Sequence, residues 1–162
     1  MPEALIAFGG NVGDVRDTID RAIARLCDGM AIRCLARSSD YETPPWGVTD
    51  QPAFVNCVIS VDTTLTPREL LKRAHIVEAA LGRDRTRETH WGPRTIDIDL
   101  LTYADIELDT PELTLPHPRL FERAFMLLPL SDLGPDRVIS GRRVKDALAR
   151  VNLRGNIKLP PR

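Results

Sequence analysis

A helix with defined ends, set between two strand patterns, constrains this chain more than any other feature. Thr66 stands where an N-cap belongs, Pro67 at the first helical position and Glu69 where it closes a capping box, while Gly82 follows Leu81 at the far end. Before the helix, residues 53–63 alternate, with Val55, Cys57, Ile59 and Val61 on one face and Phe54, Asn56, Val58 and Ser60 on the other. After it, Ile96-Asp97-Ile98-Asp99-Leu100-Leu101 reads as a strand whose two carboxylates share a face, with Ile96, Ile98 and Leu100 on the opposite one. One face of that strand can join a core while the other carries bare charge.

The first part of the chain supplies the same kinds of element. Residues 4–8 form an apolar run ended by Gly9 and Gly10, and Gly9-Gly10-Asn11-Val12-Gly13 reads as a tight turn, matching neither a Walker loop nor a dinucleotide fingerprint. Asp14 can cap a helix with apolar positions Ile19, Ala22, Ile23 and Leu26, ending near Gly29. Residues 31–39 read as a second strand, and Thr43-Pro44-Pro45-Trp46-Gly47 opens a long loop. The order strand, helix, strand, strand, helix, strand predicts an α+β fold, a ferredoxin-like βαββαβ sandwich. Residues 105–140 predict an added hairpin or loops with short helices, 144–151 one more short helix, and 154–162 an irregular tail. At 162 residues the whole chain reads as a single domain, 1–162.

Lysine and arginine number 22 against 23 acidic residues, a net charge of -1, which argues against a general nucleic-acid binder and allows only a local basic patch. Cys27, Cys34 and Cys57 lack metal-ligand spacing and read as reduced, buried thiols. No apolar run reaches membrane-spanning length and no targeting segment opens the chain, so a cytoplasmic monomer without a membrane partner is expected.

The chemistry concentrates around Asp97 and Asp99. At roughly 5–6 Å and an effective dielectric near 20, two such carboxylates repel by about 3 kcal/mol. A pair of this kind wants a cation, and magnesium, which keeps coordination places for water and phosphate, is one choice; a surface ion pair with Arg94 is the other. Arg83, Arg85, Arg87 and Arg94 offer planar forks for phosphate oxygens, or else form a solvated run balanced by Asp84 and Glu88. The polar segment 84–92 reads as a mobile loop that could close over bound substrate, with Trp91 as its apolar anchor or as a lid on a base. Phe54 beside Asn56 offers a flat face next to an amide, suited to a planar heteroaromatic ring, or else a core phenylalanine with a satisfied neighbour. His75 and Glu78, three apart on the bounded helix, share a face near the arginines. His117 is stiffened between Pro116 and Pro118.

The run Trp91-Gly92-Pro93-Arg94-Thr95-Ile96-Asp97-Ile98-Asp99, with Tyr41-Glu42-Thr43-Pro44-Pro45 and Asp50-Gln51-Pro52 before it and Leu115-Pro116-His117-Pro118-Arg119 after it, closely resembles the 6-hydroxymethyl-7,8-dihydropterin pyrophosphokinases of folate synthesis. The likeness spans roughly residues 4–140. It implies transfer of diphosphate from ATP, the co-substrate, to the pterin hydroxymethyl group, with two Mg ions held by Asp97 and Asp99 and with Arg83 and Arg94 meeting transition-state charge. It further implies a pterin stacked between Phe54 and Phe125 and read by Thr43, Pro44, Pro45, Trp46, Asn56 and Asp97. The positions that match ATP contacts are His75, Glu78, Arg83, Arg85, Trp91, Arg94, Ile98, Thr114, His117, Pro118 and Arg123. The chain departs from the family pattern at His75, where glutamine is common, at His90, near which arginine is frequent, in the Arg83–Trp91 loop, one residue longer than in some relatives, at Gly10 in the first turn, and at Glu112. The rivals are a nucleic-acid module, disfavoured by charge, and a magnesium-dependent nucleotidyltransferase, which would release pyrophosphate.

Overall fold

Along the chain the elements run β1 (Glu3–Gly10), α1 (Val15–Leu26), β2 (Ile32–Arg37), β3 (Tyr41–Thr43), β4 (Phe54–Thr63), α2 (Pro67–Ala80) and β5 (Asp97–Tyr103). There follow β6 (Leu108–Asp109), β7 (Thr114–Leu115), α3 (Ala124–Leu133), β8 (Val138–Ile139), β9 (Arg142–Arg143), α4 (Val144–Leu148) and β10 (Ile157–Lys158). This computed structural model describes residues 1–45, 49–83 and 95–162.

The main sheet places β1 between β4 and β5, antiparallel to both, and β4 carries β2 and then β3 on its other edge. That is the strand order of the ferredoxin-like βαββαβ fold, as expected. The second strand position is divided because residues 38–40 leave the ladder. There the Ser38 hydroxyl accepts the Val58 N–H at 2.9 Å and the Ser38 N–H donates to Val58 O at 2.9 Å, so β4 loses no partner at the break.

Helices α1 and α2 lie on one face because their apolar stripes match the inward positions of the sheet. Ile19, Ala22 and Leu26 of α1 and Leu70, Ala74 and Val77 of α2 pack on Ile6, Phe8, Ile59, Val61, Ile98 and Leu100. Asp14 caps α1 by accepting the Asp17 N–H, and the capping box between Thr66 and Glu69 is complete. Gly82, past the end of α2, has φ +93, a conformation glycine adopts without strain.

The opposite face of the sheet is also covered. Leu5, Val58 and Leu101 meet Leu120, Met126, Leu130 and Val144, contributed by a 3-10 turn (Leu120–Glu122), α3 and α4. The architecture is therefore three layers, with the short hairpins β6–β7 and β8–β9 beside them. α3 is a ten-residue helix with Pro129 inside it, longer than the short helices expected there. Among the described residues no helix is long and apolar enough to cross a membrane.

Three expectations are corrected. Gly9 and Gly10 continue β1, opposite Asn56 and Val55, instead of ending it, and the turn starts at Asn11. The tail is not irregular throughout, because Ile157 and Lys158 pair with Glu42 and Tyr41. Of the three thiols only Cys57 is fully buried; Cys34 is exposed on β2, since β2 buries little beyond Ile32.

Candidate active site

The period-two alternation of β4 and β5 directs four functional side chains to the α3 side of the sheet, at the end where β4 and β5 begin. There Asp97, Asp99, Phe54 and Asn56 line one cavity with Ala7, Gly9, Thr43, Pro44, Arg123, Phe125 and Met126, enclosing about 590 Å³ counted out to its open mouth. Thr43 and Pro44 come from the end of β3. Arg123, Phe125 and Met126 come from the start of α3, placing Phe125 in the same cavity as Phe54.

On the ring side, Asn56 Nδ2 donates to the buried Thr43 Oγ1 at 2.8 Å. That bond orients the amide and turns its oxygen toward Gly9, where a Cβ would stand 2.2 Å from Asn56 Oδ1. Glycine is thus required inside the strand by close approach. Asn11, which is buried, donates through Nδ2 to Gln51 Oε1 and to Pro52 O, both at 2.9 Å. The Gly-Gly-Asn and Asp-Gln-Pro motifs therefore clamp two loops together.

On the acidic side, Arg83 Nη1 donates to Asp97 Oδ1 at 2.8 Å, to Glu78 Oε2 at 2.6 Å and to Ile96 O at 3.2 Å. Glu78 Oε2 also accepts the Ile98 N–H at 2.8 Å. The Arg83 and Glu78 side chains are only 3 % and 2 % exposed, so this network joins the end of α2 to β5 and reaches the cavity through Asp97. Burial, then the neighbouring charges of Asp97 and Glu78, raise the Asp99 carboxyl well above the ordinary carboxylate value, while Arg123 acts in the opposite sense. The Arg123 guanidinium carbon lies 5.2 Å from the Phe125 ring centroid.

His117 is half-buried, and its Nδ1 accepts the Arg119 N–H at 3.1 Å. Burial, with Arg123 and Arg119 adding to it, lowers its ring to about 4, so it is neutral near pH 7. Thr114 lies on β7, half-buried, Pro118 is exposed beside His117, and Ile98 is in the core with its N–H on Glu78. His75 is exposed while Glu78 is buried, so the two differ in surroundings although three apart on one helix. Trp46, Arg85, Trp91 and Arg94, with Arg87 and the loop expected at 84–92, lie outside the described residues. No local signal in the sequence marks Asn11, Gln51, Ala7 or Met126 as part of the site; the Gly9-Gly10-Asn11 motif is visible, but its partners lie some 40 residues away.

Paired carboxylates, a positive group, and an aromatic slot with an amide at its edge are the groups needed by an enzyme that moves phosphate onto a flat heterocycle. Residues 5–135 match the family described as 7,8-dihydro-6-hydroxymethylpterin-pyrophosphokinase. The chain is 46 % identical over 155 residues to the 2-amino-4-hydroxy-6-hydroxymethyldihydropteridine pyrophosphokinase of Methylorubrum extorquens, covering 96 % of this chain and 97 % of that one. It is 42 % identical over 130 residues to the protein of the same name from Bacillus subtilis, covering 80 % and 77 % respectively. A crystal structure of an HPPK-DHPS in complex with substrates shares the fold, with a TM-score of 0.72 at 14 % identity, over 92 % of this chain and 45 % of that longer one. The chain belongs to the 7,8-dihydro-6-hydroxymethylpterin-pyrophosphokinase family and is an ATP-dependent transferase.

Proposed function

We propose that this chain, as one domain over 1–162 and as a cytoplasmic monomer, transfers the terminal diphosphate of ATP to the hydroxymethyl oxygen of 6-hydroxymethyl-7,8-dihydropterin. The observation that carries this reading is the shared cavity, in which Phe54, Asn56 and Phe125 meet Asp97 and Asp99. The pterin ring lies between Phe54 and Phe125, with Asn56 and Thr43 on its polar edge and Pro44, Pro45 and Trp46 beside it. Its hydroxymethyl group then points toward the carboxylates. The hydroxyl oxygen attacks the β-phosphorus of ATP and gives up its proton to water as the bond from that phosphorus to the α–β bridging oxygen breaks, and AMP leaves with that oxygen.

Asp97 and Asp99 fit magnesium. They present hard oxygen ligands to one cavity, the donor type that magnesium shares with nucleotide oxygens. Two such ions would neutralise phosphate charge and align the reacting oxygens. Arg123, which lines the cavity, and the neutral His117, which feels the charges of Arg123 and Asp97, suit the phosphate chain, and with His75, Arg85, Trp91, Arg94, Thr114, Pro118 and Ile98 they make up the ATP side. Arg83 acts through Asp97, whose carboxylate it holds, and Glu78 acts through Arg83; both are positioning residues in this arrangement.

The test is product analysis after incubation with ATP, magnesium chloride and the pterin alcohol. AMP and a pterin diphosphate in equal amounts are expected. ADP would mean a simple kinase, and free pyrophosphate a nucleotidyltransferase; either overturns the proposal.

A further inference from the structure

Residues 136–162 lie beyond the stretch that matches the family description, yet the last ten residues of this chain are tied to the ring-binding end of the cavity. β3 has only three residues, and it supplies Thr43, whose hydroxyl orients Asn56. A strand that short at a sheet edge has little to hold it. β10 gives it a second partner, Ile157 pairing with Glu42 and Lys158 with Tyr41.

The chain is fastened on both sides of that pairing. Past β10, the Leu159 N–H donates to Asp40 O at 2.9 Å and Pro160 O accepts from Arg16 Nη2 at 2.6 Å. Arg16 also holds the Asp40 carboxylate at 2.9 Å, with Arg37 on it at 3.2 Å, and the Asp40 side chain is only 4 % exposed. Ahead of β10, Gly155, at φ +83, lies against Pro44, and a Cβ there would stand 3.0 Å from Pro44 Cγ. Lys158 reaches Asp132 at 3.5 Å, and Asp132 in turn accepts the Tyr41 hydroxyl at 2.8 Å and the Ser39 N–H at 3.0 Å. Asp132 belongs to α3, the helix that brings Phe125 and Met126 to the cavity.

We propose that residues 153–162 are a strap that positions Thr43 and Pro44 and joins β3 to α3, so that this segment sets affinity for the flat ring. It is a positioning element; it does not touch the reacting atoms. The inference rests on the proposed function. It extends that reading by assigning ring affinity to a segment remote in sequence from every ring contact.

Three variants test it. The first ends the chain after Asn152. The second, Gly155→Ala, puts a methyl group against Pro44. The third, Gly141→Ala, is the control for backbone strain, because Gly141 has φ +76 while a Cβ there meets nothing within 4 Å. Steady-state constants for pterin and for ATP are measured, with a fluorescence titration of pterin binding and a thermal melt. Truncation should raise the pterin KM on the order of tenfold, and Gly155→Ala several-fold, with the ATP KM unchanged. Gly141→Ala should lower the melting temperature about as much as Gly155→Ala and leave both KM values at wild type.

Should the truncated chain fail to fold, the pair of glycine variants decides. Pterin and ATP constants that rise together, or a pterin KM unmoved by Gly155→Ala, would overturn the strap. Wild-type protein that makes no AMP would instead sink the functional reading from which this one starts.

Discussion

Asn56 and Gly9 work as a pair, and neither could be replaced alone. With 2.2 Å between Asn56 Oδ1 and the place a Cβ would occupy on Gly9, Gly9→Ala must push the amide off its bond to Thr43. We expect roughly tenfold weaker pterin binding, measured by titration, and a stability loss of about 1–3 kcal/mol by urea unfolding. His117 gives a pH signature. Its folded value of about 4 lies below the ordinary 6.5, so between those values the unfolded chain takes up a proton that the folded one refuses. Stability from this residue is complete above about 6.5 and falls as pH drops toward 4. The urea midpoint should fall across that window, and His117→Asn should flatten the slope; an identical slope in the variant would show that His117 does not contribute. Residues that act through the strand period were legible in the sequence, Asp97 with Asp99 and Phe54 with Asn56. Gly9, Asn11 and the Tyr41–Asp132 bond were not, because each depends on a partner brought in by the fold from 40 to 91 positions away.

Elements were legible where local chemistry marks their ends. α2 begins and ends where Thr66, Pro67, Glu69 and Gly82 say it should, because caps are short-range devices. Thr66→Ala should cost about 1 kcal/mol and lower the melting temperature without changing either KM. α3 was blurred by Pro129, which argues against a helix although here it sits buried among Met126, Leu127 and Leu130. The divided edge of β2 and β3 was unreadable because a long β4 can pair with one strand or with two. At the join of α2 and β5, Glu78 does for the elements what a cap does for one helix: it holds Arg83 and the Ile98 N–H of β5 together. Glu78→Gln removes one of the carboxylates paired with Arg83 in a nearly closed space and leaves Asp97 on it; it should cost about 1–3 kcal/mol while lowering kcat by shifting Asp97. A variant with wild-type urea midpoint would show that the network carries no weight.

For the whole molecule, the second layer matters most. α1 and α2 complete a core that needs no site, whereas the face under α3 is closed at one end by apolar packing and left open at the other as the cavity. Ligands in that opening bridge sheet and helix, so they should stabilise the molecule as a unit. At ligand concentrations near 100 times Kd the gain is about 2.7 kcal/mol, a rise in melting temperature of roughly 5–10 °C for a chain of this size. A melt with MgATP and pterin that coincides with the ligand-free melt would count against a site between these layers.

The cavity takes its walls from Ala7 near the start of the chain to Met126, around a β1 that holds the middle of the sheet and pairs only with strands made after it. During synthesis, therefore, the first strand emerges long before either neighbour exists, and chains fold from their leading end as they are made. The full set of cavity walls exists only once α3 has been made. A chain interrupted before α3 has neither the roof of the cavity nor Phe125, and so has no slot in which to capture the ring.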